Sequence, residues 1–184
     1  MKWSVLSAKA RALAQALWAP KPTSLDRTEQ TIRELQVGKT AITALARLAP
    51  EEHLEVLFAA LASDRRGICR RAREVLAPHA DRLGGERLSS LFTTTQNAHV
   101  RKQTLLLICH LSQWERLPNL LEVRANTTGE LHHIADRELR QWLRDQHYTK
   151  PDTRNRARLC NALAAYGDSL EGAAREYLQR WTTQ

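Results

Sequence analysis

One spacing constrains this chain more than anything else in it: an aliphatic residue, a small residue four positions on, and an aliphatic residue four positions further. It recurs as Val37-Ala41-Leu45, Ile68-Ala72-Leu76, Val100-Thr104-Ile108 and Leu131-Ala135-Leu139, with starts 31, 32 and 31 residues apart. A fifth copy, Leu170-Ala174-Leu178, follows after 39. Steps of four keep the three residues on one helix face. Recurrence at such a period marks an array of helical units. The small middle residue lets a neighbouring helix approach closely, and the aliphatic ends fill the space beside it.

A second apolar-periodic helix precedes most copies. Its faces are Leu54, Leu57, Phe58 and Leu61; Leu88, Leu91 and Phe92; Leu117, Leu120 and Leu121; and Leu159, Leu163 and Tyr166, with Ile32 and Leu35 serving the first unit. Each unit therefore reads as helix A, tight turn, helix B. Neither helix can bury its stripe alone, so the pairs must stack. The turns carry helix-start chemistry: Ser63-Asp64 before Ile68, Asn97 before Val100, Thr127 with Glu130 as a capping box, and Asp168 before Leu170. Gly84-Gly85 marks one loop, and His147 to Asp152, with Pro151, marks another that accounts for the longer last interval.

At the N-terminus Trp3, Leu6, Ala10, Leu13 and Leu17 form one stripe, ended by Ala19-Pro20-Lys21-Pro22. Lys9 and Arg11 interrupt the apolar run that a secretory signal needs. The stripe is expected to cap the first unit; an organelle presequence, a membrane surface or a partner helix are the alternatives. The organisation read from the sequence is residues 1–23, an N-terminal amphipathic helix and Pro-containing linker, then 24–184, a helical repeat domain.

The segments Asp64-Arg65-Arg66-Gly67-Ile68 through Leu76, and Asn97-Ala98-His99-Val100-Arg101 through Ile108, resemble HEAT repeats. That pattern sets an Asp or Asn in the turn, then Val-Arg, then a small residue and a Leu along helix B. The likeness runs roughly from Ser24 to Gln146 and more weakly through the last pair. The family's Arg is present as Arg101, while Gly38, Cys69 and His132 fill the matching places. The resemblance implies an all-α fold, a right-handed stack of about five antiparallel helix pairs (a HEAT-like α-solenoid) with an N-terminal capping helix. It also implies a curved scaffold whose B helices line the concave face and bind proteins or, in some members, nucleic acid. A bacterial branch similar to DNA alkylation-repair glycosylases binds DNA.

The net charge is +8, from 28 Lys+Arg against 20 Asp+Glu, which favours an acidic partner. Third positions of successive B helices hold Lys39, Arg70, Lys102 and His133, until Gly172 breaks the column. This position lies about 200° around the helix from the residue that starts each triplet, hence away from the core. Arg71, Arg73, Arg101, Arg137 and Arg140 lie on the same helices and complete the expected partner-binding set. Another protein is the expected partner and nucleic acid the alternative; a membrane is not expected, as no run approaches the roughly 18–20 apolar residues of a span.

No catalytic motif stands out. GxSxG, HExxH, a phosphate-cradling Gly loop and the zinc-deaminase pair are all missing from the sequence, and His53-Leu54-Glu55 is an isolated HxE. The reading is therefore a non-enzymatic scaffold, adaptor or inhibitor, with no cofactor and no metal. A glycosylase of the HEAT-like kind would need a carboxylate beside aromatics, for which Asp136 near Trp142 is the candidate. Trp142, between Arg140, Gln141 and Arg144, is also the one candidate to stack on a single-strand base. Trp114, Trp142 and Trp181 otherwise read as packing between units. His132-His133 and Cys109-His110 are adjacent pairs that point to different helix faces, unlike zinc ligands. Cys69, Cys109 and Cys160 read as three small buried apolar residues in a reducing, cytoplasmic setting.

Overall fold

The structure, a computed structural model, describes residues 38–43, 53–145, 147 and 149–183. All regular elements among them are helical. Residues 38–43 form a helical segment. Then come α1 (Leu54–Leu61), α2 (Arg66–Leu76), the single turn α3 (Ala80–Leu83), α4 (Gly85–Thr94), α5 (Ala98–Ile108), α6 (Gln113–Asn126), α7 (Gly129–Arg144), α8 (Thr153–Tyr166) and α9 (Gly172–Thr183). The stripe of residues 1–23, Ile32, Leu35, Val37 and Leu45 lie outside the described residues.

Helices adjacent in sequence pack in twos: α1 on α2, α4 on α5, α6 on α7 and α8 on α9. Between these pairs, α2 packs on α5 and α6 on α8. The triplets supply the buried ridges. Ile68, Ala72, Leu76, Val100, Thr104, Ile108, Ala135 and Leu139 are all buried, as is Ala41, while Leu131 is half-buried. Each fully buried aliphatic side chain contributes about 1.5–3 kcal/mol relative to exposure, so these ridges are a substantial part of what holds the helices together.

The core falls into two clusters that share helices. On α6, Leu120 and Val123 join the cluster built on α1–α5, while Trp114, Leu117 and Leu121 join the one shared with α8 and α9. On α7, Ile134 and Ala135 belong to the first cluster, Leu139 and Trp142 to the second. A helix apolar on two sides must be sandwiched, and α6 and α7 are. The second cluster is aromatic: Trp114 lies 5.2 Å from Trp142 and 5.0 Å from Trp181, centroid to centroid. The His147 ring stacks on Trp142 at 3.9 Å.

Turn chemistry follows the sequence in part. Asn97 caps α5, its side chain accepting from the N–H groups of His99 and Val100. The expected Thr127/Glu130 capping box does not form. Only Thr127 and Thr128 separate α6 from α7; Thr127 donates back to the Val123 carbonyl, Thr128 takes the cap position without a side-chain bond, and Glu130 pairs with Lys102 instead. Gly129 opens α7 at φ +63°, a left-handed conformation that this two-residue turn requires and glycine adopts freely. Ser63-Asp64 does not cap α2 either. Arg65 holds the cap position, Ser63 Oγ accepts from its N–H, and Asp64 accepts from the Asn97 side chain at 3.0 Å, linking consecutive turns. Asp168 lies in a 3₁₀ turn and pairs with Arg175; α9 starts at Gly172, so Leu170 of the fifth triplet precedes its helix. Asp152, not singled out in the sequence, caps α8 through the Asn155 N–H at 2.7 Å.

The cysteines divide. Cys69 is buried and donates to the Leu61 carbonyl, Cys109 is half-buried, and Cys160 is exposed, which corrects the expectation of three buried thiols. Cys160 precedes Asn161 on the outer side of α8, whose buried face is Leu159, Ala162 and Leu163.

Candidate interaction face

The second helices of the pairs present the basic residues, and the structure gathers some of them into one groove. A cleft of about 460 Å³ is lined by Lys39, Arg66, Gly67, Arg70, Arg71, Glu74 and His99. Three elements build it: the helical segment 38–43, α2 from its first turn to Glu74 in its third, and the first turn of α5. Among the described residues its lining carries four permanent cations and one carboxylate.

Glu74 organises the cations. Arg70 Nε donates to Oε1 at 3.1 Å and Arg71 Nη1 to Oε2 at 3.0 Å, while Arg73 Nη2 lies 3.7 Å from Oε1. Burial alone would raise the Glu74 pKa, but the hydrogen bonds and charges of Arg71 and Arg70 together outweigh it and hold the carboxyl below its usual range. Arg71 Nε also donates to Thr43 Oγ1 at 3.1 Å, tying α2 to the preceding helical segment. At Gly67 an added Cβ would sit 2.6 Å from Lys39 Cε, so the lysine stem lies across α2 where the helix has no side chain. The His99 ring donates from Nε2 to the Arg66 carbonyl at 3.2 Å, since a carbonyl oxygen can only accept.

The other basic residues stand apart from the groove. Arg73 donates to Gln103 Oε1 at 3.3 Å. Arg101 lies over the Phe92 ring, 4.7 Å from its centroid, with a buried Nε that has no hydrogen-bond partner. Lys102 pairs with Glu130, Arg137 with Glu138 at 3.0 Å, and Arg140 with Asp136 at 2.8 Å. His133 is exposed, its ring 5.9 Å from that of His132. Three residues of the expected set thus share one site: Lys39, Arg70 and Arg71. Arg66 and His99 join them unforeseen. The signal for Arg66 was present, because Arg66 and Arg70 are four apart and share a helix face.

Several candidate chemistries can be placed. Trp142 is fully buried, and its Nε1 donates to the Gln113 carbonyl at 3.0 Å; it is not available to stack on a base, which corrects that reading. Asp136 is gripped by Arg124 Nε at 2.9 Å and by Arg140. Burial would raise its pKa, yet the Arg124 hydrogen bond and the two arginine charges hold it below the usual carboxylate range. His53 is buried, and Glu55 is exposed and paired with Arg87. Among the described residues no three His, Cys, Asp or Glu side chains group as metal ligands would. No helix among them is long and apolar enough to cross a membrane.

A second polar network lies away from the groove's lining residues. Glu115 of α6 accepts from the Gly85 N–H at 2.8 Å and from Arg158 Nη1 at 2.7 Å, joining α4, α6 and α8. Comparison of the chain with protein-family models, with curated proteins and with solved structures finds no match.

Proposed function

We propose that this chain is a non-enzymatic interaction module of HEAT-like build, a stack of helix pairs that binds an acidic-surfaced protein through the face formed by its second helices. The pairwise packing of α1/α2, α4/α5, α6/α7 and α8/α9, with α2 against α5 across pairs, supports the solenoid reading. One observation carries the functional reading: among the described residues, four cations and a single carboxylate line one groove on that face. Elsewhere on it Lys102 and Arg137 each pair with an acid, and Arg140 pairs with Asp136, which it shares with Arg124. A mixed-charge surface with a concentrated basic spot suits a protein partner, where complementary charge sets specificity and association rate.

The test compares the full-length protein with two variants, Arg70→Glu/Lys102→Glu/Arg137→Glu on the second helices and Arg154→Glu on α8, with folding checked by circular dichroism. Cross-linking and native mass measurement in extract should give a protein adduct that the first variant loses and the second keeps. Equal loss in both, or turnover of a substrate by a chain that forms no adduct, overturns the proposal. The second reading, a nucleic-acid-binding helical repeat, rests on the net charge of +8. It predicts affinity for DNA or RNA that falls steeply with salt, because neutralising phosphates releases counterions.

A further inference from the structure

The basic groove has a finer structure than net charge alone. Lys39 and Arg66 have no carboxylate partner among the described residues, whereas Arg70 and Arg71 are held by the two oxygens of Glu74, one each. An arginine carries five donors, so each keeps most of its hydrogen-bonding capacity after that bond. Their side chains are already ordered by Glu74 and Thr43, which lowers the entropy lost when a ligand arrives. Gly67 allows Lys39 to lie across α2 and join them.

From this geometry we infer that the groove seats a short run of carboxylates in an acidic peptide segment of the partner, with Glu74 as the fixed counter-charge that holds Arg70 and Arg71 ready for it. This deepens the function proposed above by naming the chemistry recognised at one place, and it rests on that reading. A guanidinium fork matches a carboxylate in two-point geometry. The cleft, about 460 Å³, falls in the range of sites that take a small ligand or a few side chains. Nucleic acid fits less well on two counts. Among the described residues no Phe, Tyr or Trp lines the groove to stack on a base, and the His99 ring is tied to the Arg66 carbonyl. Beyond its rim Lys102, Arg137 and Arg140 are each matched by an acid, so the cations do not continue along a phosphate backbone.

The experiment uses the full chain and three fluorescent probes: a peptide containing six consecutive glutamates, the same peptide with glutamines, and a single-stranded oligonucleotide carrying the same charge. Fluorescence anisotropy at low and physiological salt reads the affinity. The glutamate peptide is expected to bind at least tenfold tighter than its glutamine counterpart and to weaken with salt. Lys39→Gln/Arg66→Gln should lose about tenfold, the scale for two exposed ion pairs. Gly67→Ala is the sharper variant. It keeps every charge and favours the helix, yet its Cβ displaces the Lys39 stem, so affinity should fall several-fold with no loss of thermal stability. The inference is overturned if both peptides bind alike, if neither variant weakens the glutamate peptide, or if the oligonucleotide binds more tightly than the peptide. A cellular adduct lost from the Arg70/Lys102/Arg137 variant but retained by Lys39→Gln/Arg66→Gln would remove this inference and leave the interaction face standing.

Discussion

Thr104 offers the most direct test of the repeat geometry. It fills the small middle position of its triplet, where the other described members are Ala41, Ala72, Ala135 and the half-buried Ala174, and it is completely buried. Its Oγ1 is enclosed and has no hydrogen-bond partner among the described residues. A hydroxyl removed from water without a partner costs about 1–3 kcal/mol, judged from substitutions in proteins. Thr104→Val replaces that hydroxyl with a methyl of nearly the same shape, and the two residues have similar helix propensity. The variant should therefore be more stable by about 1–2 kcal/mol, corresponding to roughly 2–4 °C in Tm per kcal/mol for a chain of this size. Urea denaturation followed by circular dichroism measures it, with an unchanged slope indicating that the unfolding reaction is the same. Thr104→Leu should do the reverse and lose about 1–3 kcal/mol, because the approaching helix leaves no room for the added carbons. If Thr104→Val is neutral or destabilising, the hydroxyl has a partner and the site is not an apolar contact. If Thr104→Leu is tolerated, the small middle residue is not where neighbouring helices meet.

Other outcomes follow from particular contacts. Glu115→Ala takes from Arg158 its nearer acid, the pair being 16% and 11% exposed at the Arg and Glu side chains, and leaves it only the more distant Glu86 at 3.8 Å; it should cost about 2–4 kcal/mol by thermal denaturation. Its conservative counterpart Glu115→Gln should cost less by keeping the acceptor for the Gly85 N–H. Asp136 has a depressed pKa in the folded state, so its ion pairs stabilise the fold above its ordinary value of 3.8, and that contribution is lost as pH falls through the lower folded value. Asp136→Asn should thus be less stable than the parent at pH 7, with the two chains converging in acid. Burial pushes the thiols of Cys69 and Cys109 up to about 12, so a thiol reagent should label exposed Cys160 first in the native protein, as read by peptide mass. A chain ending at Arg144 would uncover Trp114, Leu117, Leu121, Leu139 and Trp142. At about 1.5–3 kcal/mol each, that loss is on the order of 10 kcal/mol, comparable with the whole stability of a typical domain, and no cooperative melting should survive.

The helix faces were legible because burial leaves a periodic trace in sequence: Ile68-Ala72-Leu76 and Val100-Thr104-Ile108 are buried as their spacing requires. Asn97 was legible as a cap because its side chain bonds to N–H groups only two and three residues away. What failed depended on distant residues. Glu130 has the spacing of a capping box, but Lys102 reaches it from α5, and a charge partner on another helix outweighs a local bond. Leu170 keeps the triplet spacing, yet it falls in the turn that the Gly167–Ser169 segment makes before α9. Cys160 looked apolar by composition, and only the placement of Leu159 and Leu163 decides which side of α8 faces out.

The candidate site divides along the same line. That Lys39, Arg70 and Lys102 occupy equivalent positions is a property of spacing, and the sequence carries it in full. Whether they act together depends on where the acids fall, and no repeat pattern encodes that. Glu74 is four residues from Arg70 and three from Arg71, so it gathers cations from its own helix. Glu130 is 28 residues from Lys102 and removes it from the column. The same kind of residue, a glutamate on a second helix or at its start, therefore concentrates positive charge at one end of the face and cancels it further along. A ladder of equivalent positions thus becomes a localised basic groove, and under the proposed function that asymmetry would hold an acidic partner in one register rather than let it slide along the face.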